Sequence, residues 1–194
     1  MFLKLKMDTQ EFLDRYHAGR RDFQGVDLEG IELVNVWLDD DLDLSLANLS
    51  NVAIYESKLS RVKLHRANLQ NAEIVEVDLS FADLQQADLT EASLVSVALS
   101  YANLAFAKLV NVRLTEVSLF QADLTSANLS YAGLDGCDLR HSILVEANLA
   151  GSFLAHSNFA QANLNLATFE NAEISQKVNF VQAIMPDGKK YELK

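Results

Sequence analysis

The sequence predicts an all-β fold: a right-handed, four-sided parallel β-helix with a short helix at its N-terminal end. Three observations carry this. Every fifth residue from Leu44 to Ile174 is Leu, Ile or Phe. The residue two places earlier is small throughout, as at Ala47, Val52, Ser57, Val62 and Ala67, with only Leu42 larger. One proline and seven glycines in 194 residues leave too few conventional turn formers for so apolar a chain, so the repeat itself must turn it.

The repeating unit is small-(Asn/Asp)-Leu-x-x, as in Ala67-Asn-Leu, Ala82-Asp-Leu, Ala102-Asn-Leu and Ala122-Asp-Leu. A period of five fits neither an α-helix nor a long strand, so a straight element is excluded. If each unit is a short extended side followed by a corner, the small residue and the Leu point inward and the other three point outward. The number of sides is legible in the small positions. Sampled at every fourth unit, one column reads Ala47, Ala67, Ala87, Ala107, Ala127, Ala147, Ala167. The column two units on reads Ser57, Val77, Val97, Val117, Cys137, Ser157, without an alanine. Four units per coil explain both, because each side then keeps its own interior width. At about 4.8 Å per coil, some seven to eight coils give a rod of roughly 35 to 40 Å, its axis filled by Leu and Ala and closed to ligands.

Phe23, Leu28, Leu33 and Leu38 belong to the same repeat, one residue out of phase. The extra residue falls in Asp39-Asp40-Asp41-Leu42-Asp43, which lacks the glycine and terminal glutamate of an EF-hand loop and reads as a solvated bulge. Ahead of the first coil, Asp8-Thr-Gln-Glu11 resembles a capping box, Phe12, Leu13 and Tyr16 form an apolar stripe, and Gly19 suits a helix stop. Val178, Phe180 and Ile184 drift out of phase, and Met185-Pro-Asp-Gly188 reads as a turn. The domain division is therefore a tail and capping helix at 1–22, a β-helix at 23–176 and a C-terminal cap and tail at 177–194. Such atypical ends cover strand edges that would otherwise pair with other chains.

No catalytic constellation accompanies this pattern. His17, His65, His141 and His156 are scattered, with no partner at metal-ligand spacing, and there is no Gly-rich phosphate loop. Cys137 sits at an inward small position, where it acts as a small hydrophobe, and as the single cysteine it fits a reducing compartment. The regular Asn and Asp residues read as side chains that bond corner backbone groups. We expect no enzyme activity, no cofactor and no metal. A net charge of −11 argues against direct nucleic-acid binding. No apolar run is long enough to span a membrane. The opening Met1-Phe-Leu-Lys-Leu-Lys is too short in its apolar part for a secretory signal, with Met7 an alternative start, so the expected location is cytoplasmic.

The Ala-(Asp/Asn)-Leu-x-x tandem resembles the pentapeptide-repeat family over about four fifths of the chain. The resemblance implies a right-handed quadrilateral β-helix. Phe12-Leu-Asp-Arg-Tyr-His-Ala-Gly-Arg-Arg-Asp-Phe23 and Ala183-Ile-Met-Pro-Asp-Gly188 are similar to the ends of cyanobacterial members, including a regulator of heterocyst differentiation. Another branch comprises gyrase-inhibiting, quinolone-protecting proteins whose acidic rods mimic duplex DNA. Residues 22–91 hold 15 acids against Lys58, Arg61, Lys63 and Arg66, whereas residues 93–169 carry a net of only −2. Half the rod is nearly neutral and the acidic half is interrupted, which weighs against a continuous phosphate-like stripe.

Outward positions carry Phe81 and Tyr101, one full coil apart, with Phe120 in the coil after that and displaced by one position, and Phe106 one face over. An exposed aromatic patch on a rigid face is a candidate protein-binding or dimerisation site; the plainer reading is a ladder that only stabilises stacked strands. The functional expectation is a non-catalytic interaction scaffold of cyanobacterial, regulatory type, with a gyrase inhibitor or protector as the alternative.

Overall fold

The computed structural model describes residues 6–38 and 41–192. One helix, α1 (Thr9–His17), precedes eight short strands: β1 (Glu32–Val34), β2 (Ala53–Tyr55), β3 (Glu73–Val75), β4 (Ser93–Val95), β5 (Arg113–Thr115), β6 (Gly133–Asp135), β7 (Phe153–Ala155) and β8 (Glu173–Ile174). They form a single parallel sheet in sequence order, β1 to β8. Three further bridges per coil complete the other sides, for example Lys58↔Asp78, Lys63↔Asp83 and Asn68↔Asp88. The product is a β-solenoid advancing one level with every four units, with the alanine column stacked on one side through Asn48↔Asn68 and Asn68↔Asp88. We number the sides in chain order from the strand: side one holds residues 52–54, side two 57–59, side three 62–64, side four 67–69, and their equivalents in other coils.

The pentapeptide explains its own fold, because in a unit with Asn or Asp at its second place every backbone N–H has a destination. In Ala82-Asp-Leu-Gln-Gln86, Ala82 N–H closes the preceding corner on Leu79 O at 3.1 Å. Asp83 N–H donates backward to Val62 O, and Leu84 and Gln86 N–H donate forward to Asn103 O and Ala105 O. That leaves Gln85 N–H, which the Asp83 side chain accepts through Oδ1 at 3.1 Å. The same bond recurs at Ser45, Ser80, Thr90, Thr125 and Ala150, each donating to the Asn or Asp two residues earlier. Side one needs no such residue, since a third residue stays extended and in register there, as in Tyr55↔Val75. Its middle column, Ala53, Glu73, Ser93, Arg113, Gly133 and Phe153, contains no Asn or Asp.

The second residue of each corner takes a left-handed conformation, with φ near +60° from Leu46 to Asn171. Few of these residues are glycine; Phe81 (φ 61°), Tyr101 (φ 62°) and Phe106 (φ 60°) are among them. A left-handed non-glycine residue costs roughly 1–2 kcal/mol, which the hydrogen bonds on both sides of the corner and the buried Leu columns offset. Those Leu side chains fill the axis. The space left along the axis between Phe12 and Leu99 is about 10 Å³, no more than one water requires, and its lining is wholly apolar.

The register changes twice. Trp37 pairs with Lys58, one place beyond a full coil, whereas Asp43 pairs with Lys63, four units on. The one-residue slip therefore lies in the acidic bulge, of which Asp39 and Asp40 are outside the described residues. Phe153 pairs with Glu173, a full coil on, but Asn158 pairs with Asn179, again one place beyond. Here the motif resumes one residue late as Val178-Asn179-Phe180, and Phe180 stacks on Phe159 at 5.2 Å.

Both ends are dressed. Asp8 Oδ1 accepts from Glu11 N–H at 2.8 Å, capping α1. The reciprocal half of the expected capping box is replaced, because the Glu11 carboxylate turns to Arg15 one helical turn on. Gly19 (φ 94°) and the bond from Arg20 N–H to Arg15 O terminate the helix. Phe12 and Tyr16 are buried against the first coil, Phe12 edge-on to Phe23 at 4.8 Å. At the other end Gly188 N–H bonds Met185 O, Ile184 pairs antiparallel with Lys190, and Tyr191 approaches Phe180.

Candidate protein-binding site

Corner residues at equivalent places in successive coils stand above one another, so the corner between sides two and three carries Arg61, Phe81, Tyr101, Gln121 and His141 in one column. Phe81 and Tyr101 stack face to face, 4.8 Å apart and within 2° of parallel. Phe120 occupies the first corner position of the next coil, yet its ring still reaches Tyr101 edge-on at 5.7 Å. Phe120 in turn meets His141 at 5.5 Å. Arginines close both ends: Arg61 lies 5.2 Å from the Phe81 ring centre and Arg140 lies 5.6 Å from that of Phe120. Arg140 also grips Asp138 with two bonds, of 2.8 and 2.7 Å. That grip holds the Asp138 carboxyl below the usual carboxylate range.

Phe81 and Tyr101 remain 50% and 45% exposed, so the ladder is a surface feature and not a satellite core. Phe106 is 54% exposed and stands at the opposite edge of side three, outside the chain of ring contacts. The structure thus joins three of the four sequence-identified residues and sets the fourth across a flat face from them. Sequence reasoning passed over Arg61 and His141, although their whole-coil spacing from Phe81 and Tyr101 marked them. It also passed over Trp37 (76% exposed) and Tyr131 (66%), which lie on other parts of the rod. The Tyr131 ring lies across the corner at Gly151, where an added Cβ would come within 2.6 Å of it.

The remaining reactive groups are accounted for structurally. Among the described residues no group of His, Cys, Asp and Glu could hold a metal ion. His156 Nδ1 lies 2.8 Å from Asp135 Oδ1, an exposed pair on a different corner from His141. Burial pushes the Cys137 thiol up to about 11, and its Sγ donates to Leu114 O at 3.4 Å. A thiol raised this far stays protonated through neutral pH. Cys137 is therefore expected to resist a disulfide reagent at pH 8 in the folded protein and to react at once in denaturant; fast labelling of native protein would contradict its placement. Among the described residues no helix is long and apolar enough to cross a membrane.

The repeat itself matches a known family, described as pentapeptide repeats, in eight copies across residues 43–80, 78–116, 102–141 and 142–185. The chain belongs to the pentapeptide-repeat family. A pentapeptide-repeat protein involved in heterocyst differentiation regulation, HetL from the cyanobacterium Nostoc sp. Strain PCC 7120, is 32% identical over 95% of this chain and 100% of its own, with a TM-score of 0.44. A second cyanobacterial pentapeptide-repeat protein, Rfr23 from Cyanothece 51142, is 23% identical over 86% of this chain and 95% of its own (TM-score 0.40). QnrB1, a plasmid-mediated fluoroquinolone resistance protein, shares 20% identity over 80% of this chain and 89% of its own (TM-score 0.50), a likeness of fold. No curated relative matches the chain.

Proposed function

We propose that this protein is a non-catalytic scaffold with a regulatory role in the cytoplasm, presenting the ladder corner and side three to another protein. The observation that carries this reading is the Phe81–Tyr101–Phe120 ladder, with Phe81 and Tyr101 exposed on a backbone held coil to coil by hydrogen bonds. A rigid surface loses little entropy on docking, and aromatic residues supply contact area at few rotatable bonds. The regulatory part draws support from full-length similarity to HetL, a protein involved in heterocyst differentiation regulation. Gyrase inhibition by DNA mimicry finds less support, because Lys58, Arg61, Lys63 and Arg66 fall within one coil and interrupt the acidic half on sides two and three.

The test compares immobilised wild-type protein with the Phe81→Ala/Tyr101→Ala variant in capture from a cyanobacterial lysate. Wild type should retain a discrete protein that the variant loses by about tenfold or more, equivalent to about 1.4 kcal/mol. A ladder that only braces the coils would instead cost about 0.2–1 kcal/mol of stability and leave capture unchanged, which would remove the proposal. Inhibition of gyrase supercoiling by the purified protein at low micromolar concentration would favour DNA mimicry.

A further inference from the structure

We propose that the ladder corner receives an arginine-bearing, extended segment of the partner protein, with the arginine stems along the ring edges and the guanidinium groups on carboxylates beside the ladder. This rests on the scaffold reading and names the chemistry of its partner.

The ladder uses its ring faces internally, since Phe81 and Tyr101 lie against each other and Arg61 stands over Phe81. What meets solvent is a ridge of ring edges, suited to alkyl stems. Within the three middle coils the charges beside the ridge have one sign, the basic residues Lys58, Arg61 and Lys63 lying one coil before them and Arg140 one coil after. Residues 77–86, 97–106 and 117–126 build sides two and three and their shared corner, and their charged residues are Asp78, Asp83 and Asp123. In each, Oδ1 accepts the local N–H bond, while Oδ2 has no partner among the described residues. Three carboxylate oxygens thus flank an apolar ridge with no basic residue in the same stretch.

The chain builds this recognition unit once for itself. Arg140 lies over Phe120 while both its Nε and Nη2 bond Asp138. Asp78 holds the same position in its coil as Asp138, with Ser80 in the place of Arg140 and Ser60 in the place of Phe120, so the ring beside it is Phe81 at the second corner position. An arginine from outside would meet the Asp78 carboxylate as Arg140 meets that of Asp138, with its stem on the Phe81 edge instead, and bidentate Arg–carboxylate geometry is the stronger form of such a contact.

Spacing favours a particular backbone. Asp83 and Asp123 share one column two coils apart, about 9.6 Å at strand spacing. A polyproline II segment repeats its side-chain direction every three residues, about 9.3 Å, so arginines three apart would meet both carboxylates.

The probe is a labelled, end-blocked peptide of three Arg-Pro-Pro repeats, followed by fluorescence anisotropy against the full chain at near-physiological salt, with a Gln-Pro-Pro counterpart. Saturable binding of the arginine peptide is expected, with the glutamine peptide about tenfold weaker or worse. Asp83→Asn/Asp123→Asn keeps both Oδ1 acceptors and removes the charges; it should weaken binding by about tenfold with an unchanged thermal midpoint. Phe81→Ala/Tyr101→Ala should weaken it similarly. No arginine-peptide binding, equal binding of the two peptides, or indifference to either variant overturns the assignment, as does sedimentation showing a ladder-dependent dimer that the peptide does not dissociate. If lysate capture still depends on Phe81 and Tyr101 in that event, the scaffold reading stands and only the arginine chemistry falls.

Discussion

Leu104→Ala should destabilise the protein by about 3 kcal/mol, within the range for Leu→Ala in a packed core. For a chain of this size that lowers the thermal midpoint by roughly 6–12 °C. Leu104 is fully buried at the centre of a coil with neighbours above and below, through Asn103↔Asp83 and Asn103↔Asp123. No spare side chain can move in, because each level is fixed by hydrogen bonds to the next. In a solenoid each coil contacts only its neighbours, so the loss should depend on position. Ile174, in the last strand, has the same inward phase but is 46% exposed, and Ile174→Ala should cost under about 1 kcal/mol. Urea denaturation followed by circular dichroism measures both. Equal losses at the two positions would mean the axis is not packed as described.

Phe12→Ala should be comparably damaging for a different reason. The Phe12 ring is completely buried and closes the first coil against Phe23. Removing a core phenylalanine costs about 3–5 kcal/mol. Here it would also loosen α1 from the end of the rod, exposing backbone groups that can pair with another chain. The expected result is a lower midpoint together with concentration-dependent self-association in sedimentation velocity. Phe12→Leu, which keeps an apolar plug, should sediment as the wild type does at the same concentrations. A monomeric Phe12→Ala protein would show that α1 decorates the end without sealing it.

Most of the architecture was legible because the same chemical demand recurs at every fifth residue. The inward Leu column, the separate widths of the sides and the corner-bonding role of Asn and Asp all follow from that recurrence. The identity of the strand side was available and passed over: the run Ala53, Glu73, Ser93, Arg113, Gly133 and Phe153 lacks Asn and Asp where the other sides have them. The C-terminal slip was half legible. Val178-Asn179-Phe180 preserves the unit one residue late, but the pairing of Ile184 with Lys190 depends on where the chain folds back, which no period encodes. The ladder divides the same way. Whole-coil spacing places Phe81 on Tyr101, whereas the reach of Phe120 to Tyr101 and of Arg140 to Asp138 is a matter of side-chain torsions.

The left-handed corner residue has a consequence for how such rods diverge. Because it projects outward and its backbone bonds are made whatever its side chain, it is a display position, read by a partner at one row per coil. A vertical line on the surface is assembled from letters that lie far apart in the text. Two rods can therefore offer the same docking line while sharing no contiguous word, and a search for linear motifs would pass over the kinship.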